Sequence, residues 1–131
     1  MFHTGQPLTD DYGRYLIVHE LGHAMTLKHP GRYGSGDERP FLPKSLENNK
    51  YSALSYRDNP DSGALADRLM LYDIASLQAR YGANLTHRIG DDAYGPPSAR
   101  LEVIWDAGGN DAIDGSGLSS PLRIDLRDGH F

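Results

Sequence analysis

The chain has 131 residues, a formal net charge of -5 and no cysteine. That length holds one ordinary domain or pieces of two, and the acidic balance argues against nucleic acid as a partner, because a phosphate binder concentrates Lys and Arg. Without cysteine there is no disulfide staple, thiolate ligand or thiol nucleophile, and no run reaches the roughly 18 apolar residues that span a membrane.

Met1-Phe2-His3-Thr4-Gly5-Gln6-Pro7 lacks the basic start and apolar stretch of a signal peptide. The first predicted element is a helix from about Asp10 to Leu27, with Thr9, Asp10 and Asp11 as candidate N-terminal caps. Lys28, His29, Pro30 and Gly31 are expected to stop it, since Pro cannot continue a helix and Gly reverses the chain easily.

This helix carries His19-Glu20-Leu21-Gly22-His23, and His29 follows six residues after His23. Residues four apart share a helix face, so both imidazoles can reach one metal ion. Zinc takes nitrogen ligands in tetrahedral geometry, and a catalytic site keeps three protein ligands plus an open position for water. His19, His23 and His29 are therefore the candidate zinc ligands. Glu20 is the candidate general base, placed to take a proton from the water and hand it to the departing amine. The structural alternative is three satisfied surface or core histidines.

From Pro30 to about Pro60, Gly, Pro, Ser, Asn and charged residues dominate, which predicts an ordered surface loop. A second, packing helix is expected from Arg68 to Tyr81, capped by Asp67 and stopped by Gly82. Its apolar face would be Leu69, Leu71, Tyr72, Ile74, Ala75 and Leu77 or Gln78. Beyond Asn84 the character changes, and the boundary between two structural units is placed near residues 82–90. Residues 101–105 and 122–126 read as short strands. Between them, Asp106, Gly108, Gly109 and Asp111 put two carboxylates and open carbonyls in one turn, which suits calcium but by itself is more often an ordinary Gly/Asp turn. No internal repeat is visible.

The stretch from His19 to His29 resembles the long zinc signature of the metzincin proteases, H-E-x-x-H-x-x-G-x-x-H. His29-Pro30-Gly31 is similar to the serralysin branch in particular. Tyr51-Ser52-Ala53-Leu54-Ser55-Tyr56 resembles that branch's Met-turn, the segment from Met70 to Asn84 its following helix and Tyr-Gly-Ala-Asn exit, and Arg88 to Gly95 and Trp105 to Asp111 continue the likeness. The resemblance covers nearly the whole chain, in order and spacing.

That resemblance implies an α+β fold. It has a metzincin-like zinc active-site helix and a second packing helix, then short β-strands leading into a calcium-binding β-roll. Residues 1–84 would be the C-terminal part of a zinc metalloprotease catalytic domain, and residues 85–131 the calcium-binding linker and the start of the β-roll domain. The implied activity is zinc-dependent hydrolysis of internal peptide bonds by zinc-activated water, with Glu20 as general base. Tyr56 would add its phenolate to the metal at rest and swing away to hydrogen-bond the tetrahedral intermediate; its structural alternative is a core aromatic beneath the site. The resemblance turns the Gly/Asp turn into a calcium cluster of Asp106, Gly108, Gly109 and Asp111 with the Arg88 and Gly90 carbonyls and Asp92. A protein or peptide substrate, a proteinaceous inhibitor, a monomeric state and an extracellular location are implied too, with no nucleic acid or membrane partner and no C-terminal export signal visible.

Two departures from the pattern stand out. The motif's glycine is Thr26, which a left-handed backbone there would strain by about 1–2 kcal/mol. The Met-turn methionine is Leu54, a nearly volume-conserving change costing under about 1.5 kcal/mol. Only about 18 residues precede His19, and no Gly-Gly-x-Gly-x-Asp repeat follows Asp111. The expectation is therefore a fragment or a shortened relative, and the alternative function is a non-catalytic zinc- or calcium-binding relative of such a protease.

Overall fold

In the computed structural model the described residues are 9–95, 102–127 and 129. They form two compact units, residues 9–84 with 102–104, and residues 85–95 with 105–127 and 129. The first holds helices α1 (Asp11–Ala24) and α2 (Leu71–Tyr81), the second strands β1 (Ala93–Tyr94) and β2 (Ala112–Ile113). The chain is thus a small mixed α and β structure. No helix among the described residues is long and apolar enough to cross a membrane.

Helix α1 starts where Asp10 accepts the Gly13 N–H at 2.6 Å, satisfying one of the unpaired donors of the first turn. Its inward stripe is Tyr15, His19 and Gly22, spaced by four and three residues, while Ile17 and Leu21 lie exposed. Gly22 is required by close approach: a Cβ there would sit 2.8 Å from the Leu54 side chain. The helix ends earlier than Lys28. Thr26 takes a left-handed conformation, φ +70°. Leu27 N–H donates to Gly22 O and Thr26 N–H to His23 O, each at 2.9 Å. These two bonds satisfy carbonyls of the last turn, so the stop is a Schellman turn built on a threonine and not the expected one at Lys28 to Gly31. Tyr81, at the end of α2, braces it through its hydroxyl to Met25 O at 3.2 Å.

Helix α2 begins three residues later than expected, because Asp73 rather than Asp67 organises its start. Asp73 accepts from Met70 N–H at 2.9 Å, and Asp67 pairs with Arg68 instead. The one buried residue of α2 is Asp73, while Leu71, Tyr72, Ile74, Leu77 and Gln78 are half-buried and Ala75 is exposed.

The segment expected as a surface loop supplies the centre of the first unit. Ala53 and Leu54 are fully buried and cluster with Ala66 and Met70, with Val18, Leu27 and Val103 packed around them. Polar neighbours Glu47, Asn48, Asn49, Ser52, Ser55 and Asn59 are buried as well. Irregular backbone cannot pair with itself, so side chains complete its hydrogen bonds. Asn49 donates to Ser55 O and Arg57 O, each at 2.8 Å, and accepts from Ala66 N–H at 2.7 Å.

In the second unit, β1 and β2 pair in parallel, Ala93 with Ala112 and Tyr94 with Ile113. The strands expected at 101–105 and 122–126 are absent among the described residues, Leu101 lying outside them. Residues 122–126 are exposed throughout, and alternation of side chains makes no strand without a partner to complete the ladder.

Candidate metal centre

Helix α1 carries His19, Glu20 and His23, and the Schellman turn returns the chain so that His29 comes beside them. The Nε2 of His23 lies 3.1 Å from both the His19 Nε2 and the His29 Nε2. Each ring's other nitrogen has an acceptor. His19 Nδ1 meets Ala53 O at 2.9 Å, His23 Nδ1 meets Leu27 O at 3.0 Å, and His29 Nδ1 meets Asp37 Oδ1 at 2.6 Å. Carbonyl and carboxylate oxygens only accept, so the protons sit on Nδ1 and the three Nε2 lone pairs face one another. Burial, ahead of the neighbouring imidazoles, lowers the His19 pKa and favours its neutral form.

That donor set fits zinc. Bonds of about 2.0–2.1 Å in tetrahedral geometry separate ligand nitrogens by about 3.3 Å, close to the spacing here. The acceptors behind the rings fix tautomer and orientation, as outer partners of metal-binding histidines do. Glu20 is exposed on α1 next to His19.

The turn carrying Ala53 is pinned from both sides. Tyr15 of α1 donates its hydroxyl to Ser55 O at 2.9 Å. Asp73 of α2 accepts from Ser52 Oγ and Ala53 N–H, each at 2.7 Å. Burial pushes the Asp73 carboxyl up, against the pull of these donors. Leu54 forms the apolar floor under Gly22.

Tyr56 is 57% exposed, on the open side rather than in the core. Its ring stacks on His19, centroids 5.3 Å apart at 19°, and leans on His29 at 4.7 Å. Tyr33 also stacks on it, centroids 4.6 Å apart. The Tyr33 hydroxyl donates to Glu47 and contacts Ser55 Oγ at 3.0 Å; burial, then that carboxylate, pushes its pKa up to about 12, so it remains a donor.

Asp37, Tyr33, Glu47 and Asp73 escaped the sequence reading. The available signal for Asp37 was the run Tyr33-Gly34-Ser35-Gly36-Asp37, a turn composition closed by a residue that caps backbone N–H groups.

In the second unit Asp92, Asp106 and Asp111 each bring a carboxylate oxygen within 4.8 Å of the others. Parallel pairing explains two of them, since Asp92 and Asp111 directly precede the paired strands. Asp106 accepts from Gly108 N–H at 2.9 Å and from the Tyr94 hydroxyl, which chiefly holds its carboxyl below the usual range. Gly108 and Gly109 have φ of +156° and +133°. A Cβ at Gly109 would collide with the Gly90 carbonyl. The Arg88 carbonyl accepts the Ala107 N–H at 3.3 Å.

No family model matches the chain. Among curated proteins it is 38% identical to a serralysin of Proteus mirabilis over 95% of this chain and 30% of the relative. It is 39% identical to serralysin C of Dickeya chrysanthemi over 94% of this chain and 30% of that protein. Against the metalloprotease AprA of Pseudomonas entomophila (strain L48) the identity is 32% over 95% of this chain and 31% of the relative. The chain thus spans about 30% of the length of these relatives. Over the stretch it shares with them, this chain is a relative of the serralysin-type metalloproteases.

Proposed function

We propose that the chain carries the active-site part of a secreted zinc-dependent metalloendopeptidase that hydrolyses internal peptide bonds of proteins. In this reading α1 is the active-site helix of a metzincin-like fold, and residues 1–84 belong to the catalytic domain. The observation that supports it most is the convergence of three Nε2 atoms, that of His23 lying 3.1 Å from the other two, with every Nδ1 already bonded. The serralysin relationship points the same way.

His19, His23 and His29 hold the ion. Zinc bound there supplies Lewis acidity toward the scissile carbonyl and brings the pKa of water toward about 7. Glu20, open to solvent beside His19, takes the proton of the attacking water and delivers it to the departing amine nitrogen. Tyr56, its ring stacked on those of His19 and Tyr33, offers its phenol O–H to the developing oxyanion. No covalent acyl-enzyme forms, and the chain has no cysteine.

The second unit is read as a calcium-binding linker opening a β-roll. Asp92, Asp106 and Asp111, with carbonyls of Arg88, Gly90, Gly108 and Gly109, are the oxygen-rich set that calcium takes. Gly109 lets the two turns approach closely.

The test is casein cleavage by the zinc- and calcium-loaded chain beside its Glu20→Gln variant. The variant is expected to keep zinc and lose about 10²–10⁴ in rate, the contribution of a positioned proton carrier. Equal cleavage by both contradicts the role of Glu20. No cleavage by either, with zinc bound, makes the chain a metal-holding module without hydrolysis.

A further inference from the structure

His19 and His23 ride on α1, whose backbone hydrogen bonds fix their spacing. His29 lies beyond the Schellman turn, where no helix holds it. Its Nδ1 also meets a different kind of partner. The two helical imidazoles donate to backbone carbonyls, whereas His29 donates to a carboxylate, Asp37 Oδ1, at 2.6 Å. The other oxygen, Asp37 Oδ2, accepts the N–H groups of Tyr33 and Gly34, each at 2.6 Å. Both side chains are largely shielded, 18% exposed for His29 and 13% for Asp37. One carboxylate therefore closes the loop after His29 and aims the ring at the same time.

Building on the zinc reading above, we propose that Asp37 is the positioning residue of the metal centre. It locks His29 in the Nδ1–H tautomer, in the orientation that brings its Nε2 to the other two. Its negative charge also sets His29 apart from the two helical imidazoles, since a hydrogen bond to a carboxylate holds a ring more firmly than one to a carbonyl. An asparagine cannot replace it. The amide oxygen can accept from His29, but the amide nitrogen would then face the Tyr33 and Gly34 N–H groups, donor against donor.

The test measures zinc affinity by chelator competition in the full chain with calcium, for the parent, Asp37→Asn and Asp37→Ala. Proton NMR of the imidazole Nδ1–H signals is recorded in parallel. Zinc binding is expected to weaken about 10–100-fold in Asp37→Ala, with Asp37→Asn between it and the parent. In Asp37→Ala the His29 Nδ1–H signal should vanish while those of His19 and His23 persist. Unchanged zinc affinity in Asp37→Ala overturns the proposal and leaves the zinc site standing. Loss of all three signals together overturns it as well, by assigning Asp37 a purely structural role. A zinc-loaded parent without a hydrogen-bonded His29 Nδ1 proton overturns it without any variant. Failure of the parent to take zinc removes the underlying site and the proposal with it.

Discussion

Around the three histidines, each Nδ1 is bonded to an oxygen of its own unit, and the turn that supplies Ala53 O is held by Tyr15 and Asp73. The carboxylates of Asp92, Asp106 and Asp111 stand in another situation. They gather beside two-residue strands, within 4.8 Å of one another, with like charge on like charge. Hydrogen bonds there such as Asp92 N–H to Asp111 Oδ1 at 3.0 Å and Asn110 N–H to Asp91 Oδ1 at 2.8 Å are solvent-exposed. The difference lies in what organises each region. In the reading proposed above, the histidine centre is organised before zinc arrives, while the carboxylate cluster depends on calcium to offset its like charges.

Metal removal should separate the two most strongly. In the chelated chain, amide exchange in α1 and the turn at residues 51–55 is expected to stay slow, while exchange at β1 and β2 speeds up by more than about tenfold and slows again with calcium alone. Equal loss of protection in both units would break the contrast. Next in size is Asp73→Ala, which leaves Ser52 Oγ, Ala53 N–H and Met70 N–H without their common acceptor. Unfolding by urea, followed by far-ultraviolet circular dichroism of the helices, should show a loss of about 2–4 kcal/mol. Zinc binding should weaken alongside, because Ala53 also orients His19.

How much of this was legible beforehand divides along a physical line. The spacing of His19, Glu20 and His23 and the cap at Asp10 are local and fixed by helix geometry, and the offset of His29 was readable from the motif. The end of α1 was readable in part: the motif marked Thr26 as a left-handed position, which the structure has, but with threonine rather than glycine there the helix was carried on to Leu27. The segment from Pro30 to about Pro60 was read as a surface loop from its Gly, Pro, Ser, Asn and charge content, with only the turn at residues 51–56 picked out by its resemblance to the Met-turn. Asn49 within it is buried because it completes the bonds of irregular backbone. Strands at 101–105 and 122–126 failed for lack of a partner, which alternation along one segment cannot reveal. Asp37 and Asp73 act across 8 and 20 or more residues of chain, beyond any motif.

Two smaller changes sharpen the comparison. Asp106→Ala should weaken calcium binding on the order of tenfold, read by titration calorimetry, with zinc affinity unchanged, since affinity follows the ligand charge count. Thr26→Gly should relieve the left-handed strain, offset in part by a more flexible unfolded chain, for a net gain of up to about 1 kcal/mol in the same urea experiment. A loss of stability there would mean that the hydroxyl contacts of Thr26 to Met25 O and Tyr81 outweigh the strain.

The most direct measurement is the X-ray absorption spectrum of the chain loaded with one equivalent of zinc in excess calcium. The predicted spectrum has three imidazole nitrogens at about 2.0–2.1 Å and one further light ligand. A shell of oxygens alone, or a single imidazole, would contradict a zinc centre built from His19, His23 and His29.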